Sequence, residues 1–202
     1  KSFVNGDWWV QDFSSFLPID NFEIESKSKD KIILDACAAP GGKSFQLISR
    51  NLNVVLNDKS KHRANTLKSN LNRLNYSNEI LNKDFIKFNE IKKYDIIIID
   101  SPCSAIGTIR KNPEIFFKKD DPNLTELVCL QEKMLEKASR LVSKDGYIVY
   151  MTCSFLKIET IDQIHKFLKK NSNFLLYNFK LKKNNIKYLK LIKNNFMITL
   201  PD

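Results

Sequence analysis

The 202 residues amount to one domain, and 43% hydrophobic against 28% charged residues describes a globule able to bury a core, which excludes a disordered or fibrous chain. The longest uninterrupted aliphatic run, Ile96 to Ile99, is far short of the ~20 residues a membrane helix needs. No basic stretch leads into an apolar one near Lys1, so no leader is visible.

Lys and Arg number 33 against 23 Asp and Glu, for a net charge of +10. The excess is uneven: residues 1–30 sum to −3, residues 156–202 to +7 and the middle to +6. Such a field favours polyanions, nucleic acid first and an anionic membrane surface second, although a solubilising lysine coat produces the same numbers. The cysteines, Cys37, Cys103, Cys129 and Cys153, form no CxxC pair, and only His62 and His165 could assist them. No metal site is expected, and free thiols in a cytoplasmic protein are.

Along the chain, β-branched runs at 31–36 (KIILDA), 53–57 (NVVLN), 79–83 (EILNK), 94–100 (YDIIIID) and 146–152 (GYIVYMT) predict strands. Helical patterns near 42–50, 60–74, 125–142 and 158–170 lie between or after them, the third with Leu127, Leu130, Met134, Leu135 and Ala138 on one face. Cys129 reads as a small core hydrophobe of that helix. The Lys/Asn-rich stretch 180–195 reads as a mobile segment. The alternation is that of βαβ units: an α/β fold with a mostly parallel twisted sheet and helices on both faces. Ligands of such sheets bind beyond the carboxyl ends of the strands.

Those ends carry Asp35 and then CAAPGGK (37–43), Asp58, Asp84, Asp100 and then SPCS, and finally Thr152-Cys153-Ser154. A lone Asp after a strand is commonly a cap or turn residue, but here four converge on one rim. The loop ending in Gly41-Gly42 lets backbone N–H groups approach a ligand closely. It could serve a phosphate, a dinucleotide or S-adenosylmethionine. For a phosphate loop, GxxxxGK[ST], Cys37 occupies the first glycine position; for a dinucleotide fold, CAAPGG does not supply GxGxxG. Asp58, 23 residues after Asp35, sits where an acid would hold the ribose hydroxyls of S-adenosylmethionine. Cys103 and Cys153 follow adjacent strands, and neither NTP hydrolysis nor hydride transfer requires paired thiols.

DACAAPGGK (35–43), DSPCSAIGTIRKNPEI (100–115) and YMTCS (150–154), in this order, resemble the Sun/RsmB family of RNA 5-methylcytosine methyltransferases, most closely its RsmB branch, which acts on small-subunit ribosomal RNA. The resemblance implies a Rossmann-like class I methyltransferase fold, S-adenosyl-L-methionine as cofactor and RNA as partner. Carbon 5 of cytosine is a weak nucleophile until a thiolate adds at carbon 6. By resemblance Cys153 is that thiolate, Cys103 assists release of the product, and Asp100 contacts the cofactor or cytosine and handles a proton. The loop Cys37, Ala38, Ala39, Pro40, Gly41, Gly42 and Lys43 is carried over as the site of the methionine moiety, Asp58 as the ribose ligand and Asp84 as the adenine-side ligand. Asp35 is expected to orient the loop. Arg110, Lys111, Lys118 and Lys119 are placed to hold RNA phosphates.

Departures from the family pattern are mild: Ser101 replaces an alanine, Asn57 stands where apolar residues are commoner, and Lys157 replaces a proline. The expectation is one catalytic domain over 1–202, monomeric, without the N-terminal RNA-binding region of RsmB proteins, a role that a separate domain or subunit would fill. The competing expectation is a catalytically idle RNA-binding or assembly module of the same fold.

Overall fold

The structure, a computed structural model, describes residues 1–22, 30–89, 91–117, 123–178, 182, 189–192 and 195–199. Helix α1 spans Phe13–Asn21, where Asp12 caps the first turn by accepting from the Ser14 N–H. There follow β1 (Ile32–Asp35), α2 (Gly42–Ile48), β2 (Asn53–Asn57), α3 (Lys61–Arg73), β3 (Ile80–Leu81), β4 (Tyr94–Asp100), α4 (Leu124–Leu141), β5 (Val142–Met151) and α5 (Ile161–Lys170). Strands β6 (Leu189–Ile192) and β7 (Phe196–Thr199) close the order.

Strands β1 to β5 form one parallel sheet in the order β3-β2-β1-β4-β5. The order reverses between β1 and β4, which opens a crevice beyond their carboxyl ends. Side chains alternate across the sheet. Ile33, Val54, Leu56, Ile96 and Ile98 pack against Ile19 and Phe22 from the α1 side, Phe45 and Leu47 of α2, and Leu67 and Leu71 of α3. Leu34, Val55, Ile97 and Ile99 face Met134, Leu135 and Ala138 of α4 and Phe167 of α5. Two-sided burial explains why β4 reads as an unbroken isoleucine run, and the expected α/β architecture with helices on both faces is the one observed.

Element ends differ from expectation in instructive ways. Strand β3 keeps only Ile80 and Leu81. Strand β5 starts at Val142, and its register against β4 shifts between Tyr94 and Ile96. Helix α1 carries Pro18 in its interior and had no periodic signal. Cys129 is exposed, correcting its assignment to the core: the buried stripe of α4 runs through Gln131, Met134, Leu135, Ala138 and Leu141, and two residues before Gln131 is the opposite side of a helix. In the 180–195 stretch, Leu189–Ile192 is a strand paired antiparallel with β7, and most of the remainder lies outside the described residues. Among the described residues no helix is long and apolar enough to cross a membrane.

Asn57, the unexpected polar residue of β2, is fully buried. Its amide donates to the Ala36 carbonyl (3.0 Å) and accepts from the Lys83 N–H (3.1 Å), tying the segments after β1 and β3 together. Asn57→Ala orphans both backbone groups and is expected to cost about 2 kcal/mol in urea unfolding; a loss below about 0.5 kcal/mol, the range of an ordinary surface change, would refute this role.

Candidate active site

The Cys37–Lys43 loop is built from below and from the side. Asp35, buried at the end of β1, accepts from the Ser44 hydroxyl (2.5 Å) and from the Cys37 N–H (3.3 Å), the orienting role expected of it. Burial first, then the charge of Asp100, lift its carboxyl to about 6 against the Ser44 hydrogen bond. From α3, Arg63 donates to the Ala39 carbonyl and Asn70 to that of Pro40 (3.0 Å). Gly41 opens α2 at φ +119°, a conformation that favours glycine, and a Cβ there would strike the Phe45 ring.

Above the crevice lies a cleft of about 330 Å³, within the roughly 300–1,000 Å³ usual for small-molecule sites. Cys37, Ala38, Ala39, Pro40, Gly42, Lys43 and Asp100 line it on one side. Phe3, Trp9, Val10, Gln11 and Asp12 line the other, a wall the sequence reading did not anticipate. This N-terminal segment is fastened by Arg73 of α3, which donates to the carbonyls of Phe3 (2.7 Å) and Trp8 (3.0 Å) and lies over the Phe3 ring. Lys43 and Asp100 form an ion pair at 2.6 Å inside the cleft.

Asp58 and Asp84 sit beside the cleft rather than on its lining. Asp58 is buried; one carboxylate oxygen accepts from the Ser60 N–H (2.9 Å), while the other lies 3.5 Å from Arg63 and has no hydrogen-bond partner. Asp84 caps the turn at Phe85 and pairs with Lys59 at 3.0 Å. Burial works against its charge, and Lys59, the Ile86 N–H and Lys87 together outweigh it and hold the carboxyl below its ordinary value.

The two predicted thiols meet: Cys103 Sγ and Cys153 Sγ are 3.2 Å apart. The turns that bear them follow β4 and β5 and are bound to each other. The Gly107 N–H donates to the Cys153 carbonyl at 2.9 Å, and a Cβ on Gly107 would lie 2.7 Å from that oxygen. Either sulfur can donate across this contact; donation by the Cys153 thiol to an ionised Cys103, with the N–H groups of Ala105 and Cys153, outweighs burial and lowers Cys103 to about 7. The same hydrogen bond and burial push Cys153 up, so Cys103 is the first of the two to ionise and the pair then shares one proton. Cys37, by contrast, is pushed up to about 12 by burial and then by the charges of Asp35, Asp100 and Asp58.

On the outer rim Arg110 is exposed, and Lys111, also exposed, forms an ion pair with Asp12 across the cleft. Burial opposes the Asp12 charge, but Lys111 and Ser14 dominate and lower its carboxyl to about 2. Lys118 and Lys119 lie outside the described residues. Among the described residues no group of three or more His, Cys, Asp or Glu could hold a metal ion. Sequence reasoning missed Glu159, a fully buried acid behind the thiols. It stands in a short turn amid Lys157, Ile158 and Thr160, where no periodicity marks it.

A five-stranded parallel sheet with a glycine turn after β1 and an acid after β2 is the architecture of the Rossmann-like methyltransferases. The profile of the 16S rRNA methyltransferase RsmB/F family matches residues 23–201, and the chain belongs to that family. It is 38% identical over 146 residues to ribosomal RNA small subunit methyltransferase B of Photorhabdus laumondii, covering 70% of this chain and 34% of that relative. To the probable ribosomal RNA small subunit methyltransferase B of Bacillus subtilis it is 32% identical over 181 residues, covering 85% of this chain and 39% of the relative. The chain thus spans well under half the length of these curated relatives. Among solved structures, NSun6 from Pyrococcus horikoshii with SFG superposes at a TM-score of 0.78 with 25% identity, covering 90% of this chain and 46% of that one.

Alkylation of the dithiol by iodoacetamide, followed by mass spectrometry, is expected to rise with pH through about 7 instead of the ordinary ~8.5, because Cys103 is the thiolate that forms first. Cys37 is expected to stay unlabelled across the same range. A half-point near the ordinary thiol value for both rim cysteines would refute the shared-proton arrangement.

Proposed function

We propose that the chain transfers a methyl group from S-adenosyl-L-methionine to carbon 5 of a cytosine in small-subunit ribosomal RNA, through a covalent bond between Cys153 and carbon 6 of the base. The observation that carries this reading is the 3.2 Å approach of Cys103 and Cys153 on the rim that also bears Asp100. Methylation of an oxygen or nitrogen needs no thiol, whereas carbon 5 of cytosine needs one. Further support comes from the names of the relatives and from the Pyrococcus neighbour, solved with SFG, an analogue of the proposed cofactor.

The residues present fit that cofactor. The cleft has the necessary volume, and the unpartnered buried oxygen of Asp58 is an acceptor suited to a ribose hydroxyl. The loop Cys37 to Lys43 would hold the methionine moiety, with Gly41 shaping the turn and Gly42 leaving the cleft lining free of a side chain, and Asp84 would border the adenine. Bound there, S-adenosyl-L-methionine supplies an electrophilic methyl on a positively charged sulfur.

The protein's own groups then supply nucleophile and proton traffic. As the Cys153 sulfur bonds to carbon 6, its proton passes along the 3.2 Å contact to the Cys103 thiolate, and carbon 5 becomes the nucleophile that takes the methyl. The Asp100 carboxylate, oriented by Lys43, accepts the carbon 5 proton, and Cys103 returns its proton to the departing Cys153 sulfur. Both thiols thus regain their starting state. The target cytosine must be unstacked to meet them. Arg110, Lys111, Lys118 and Lys119 would hold the flanking phosphates, Lys111 after exchanging Asp12 for RNA. Residues 1–202 act as the catalytic domain of a cytoplasmic monomer, aided by a separate RNA-binding domain or subunit.

Incubated with labelled S-adenosylmethionine and 16S ribosomal RNA, the protein is expected to incorporate label, and Cys153→Ala to lose it. Cys103→Ala is expected to accumulate an RNA adduct that survives a denaturing gel, and Cys153→Ala to form none; identical behaviour of the two would reject the assigned roles. Calorimetry with Asp58→Ala is expected to show cofactor binding weakened by about 1–3 kcal/mol, the cost of unmatched polar partners. An unchanged Kd would remove Asp58 from the site.

A further inference from the structure

We infer that Glu159 is a positioning residue of the dithiol, a clamp that holds the turn after β4 against the turn after β5 so that the two sulfurs face each other. This inference rests on the proposed cysteine chemistry for its meaning and on the geometry around Glu159 for its content. Glu159 has no exposed surface, yet it carries a carboxylate, and each of its oxygens is spoken for. One accepts from the Ser104 N–H at 2.9 Å and from Gln131 Nε2 at 3.1 Å; the other accepts from the Ser104 hydroxyl at 2.6 Å. Ser104 in turn lies 3.2 Å from Ser154 Oγ. Ser104 directly follows Cys103 and Ser154 directly follows Cys153, so a single carboxylate draws together the residue after each thiol.

The clamp is itself held in place. The Tyr150 hydroxyl, from β5, donates to the Glu159 carbonyl at 2.8 Å. Gln131 of α4 also donates to the Pro102 carbonyl at 3.0 Å, and Gln163 of α5 donates to Gln131 at 3.2 Å, a buried amide chain running from the helix layer to the PCS turn. Burial acts to raise the Glu159 carboxyl, and hydrogen bonds from Ser104, Ser154 and Gln131 overcome it and hold the group ionised, below its ordinary value. A buried charge kept this way is costly unless its acceptor sites are used, and here the users are the two cysteine turns together with Gln131.

The test uses Glu159→Gln and, as a pair that leaves the buried acid intact, the double variant Ser104→Ala/Ser154→Ala. Thiol spacing is read without catalysis by phenylarsine oxide: two As–S bonds form, and the arsenical oxygen leaves as water with the two thiol protons. Intact mass after a monothiol wash reports the bridged species. Both variants are expected to lower kcat by about 10²-fold, the cost of roughly 1 Å of misplacement. Cofactor Kd and RNA KM should stay within about twofold, while bridging requires about tenfold more arsenical. Wild-type kcat and wild-type bridging in both variants would overturn the inference. So would losses of cofactor affinity and melting temperature that match the loss of kcat, since these mark a general structural role. Should Cys153→Ala still methylate RNA, the covalent reaction fails, while arsenical bridging still decides the role of Glu159.

Discussion

Strand β4 is hydrogen-bonded to β1 on one edge and β5 on the other, and its isoleucines alternate between two cores. A slip of one residue would move Ile96 and Ile98 into the space built for Ile97 and Ile99, and the reverse, so two-sided burial permits one register. In that register Asp35 lies opposite Ile98 and Asp100 opposite Met151. Asp100 therefore emerges beyond the end of β1, where Lys43 can reach it, and the residues after Asp100 run beside those after Met151. The meeting of the two sulfurs is a consequence of how hydrophobic side chains pack well below them.

The rim above that floor is polar and tightly partnered. Asn57 joins the ends of three strands, Asp35 braces the glycine turn, and Glu159 braces the thiol turns. Each is buried and each hydrogen-bonds backbone or hydroxyl groups of a neighbouring turn, Glu159 adding the Gln131 amide. Such a design trades the cost of burying polar groups for fixed geometry in the loops they hold. Asp58 differs: one of its oxygens is buried with no hydrogen-bond partner, the incompleteness on which its proposed ligand role rests.

How much of this could be read before any coordinates follows from which physics is local. The isoleucine run, the period of α4 and the glycine turn are written in neighbouring residues, and strands, helices and the loop accordingly fell where expected. The convergence of Asp100, Cys103 and Cys153 followed from topology, because residues at the carboxyl ends of adjacent parallel strands share a rim. Helix α1 was not legible, since Pro18 and a short amphipathic face disguise it. Cys129 was misread because hydrophobicity alone ignores the angle of one residue on a helix. Glu159 and the wall of residues 3 to 12 act through contacts between segments distant in the chain, joining positions 104, 131 and 159, or 73 and 3, and no window of sequence contains such pairs.

That wall differs in kind from the floor. Its attachments to the rest of the domain include a guanidinium grip by Arg73, a side-chain bond from Gln11 to Gln46, the Trp9 ring against Phe45 and the Asp12 ion pair, whereas the opposite side is anchored by sheet hydrogen bonds and two hydrophobic layers. Local opening costs least where fewest buried contacts must be given up. The cleft therefore has two walls of unequal resistance: the segment 1 to 12 is held mostly by side-chain contacts, whereas the rim that carries the sulfur pair is tied into the sheet.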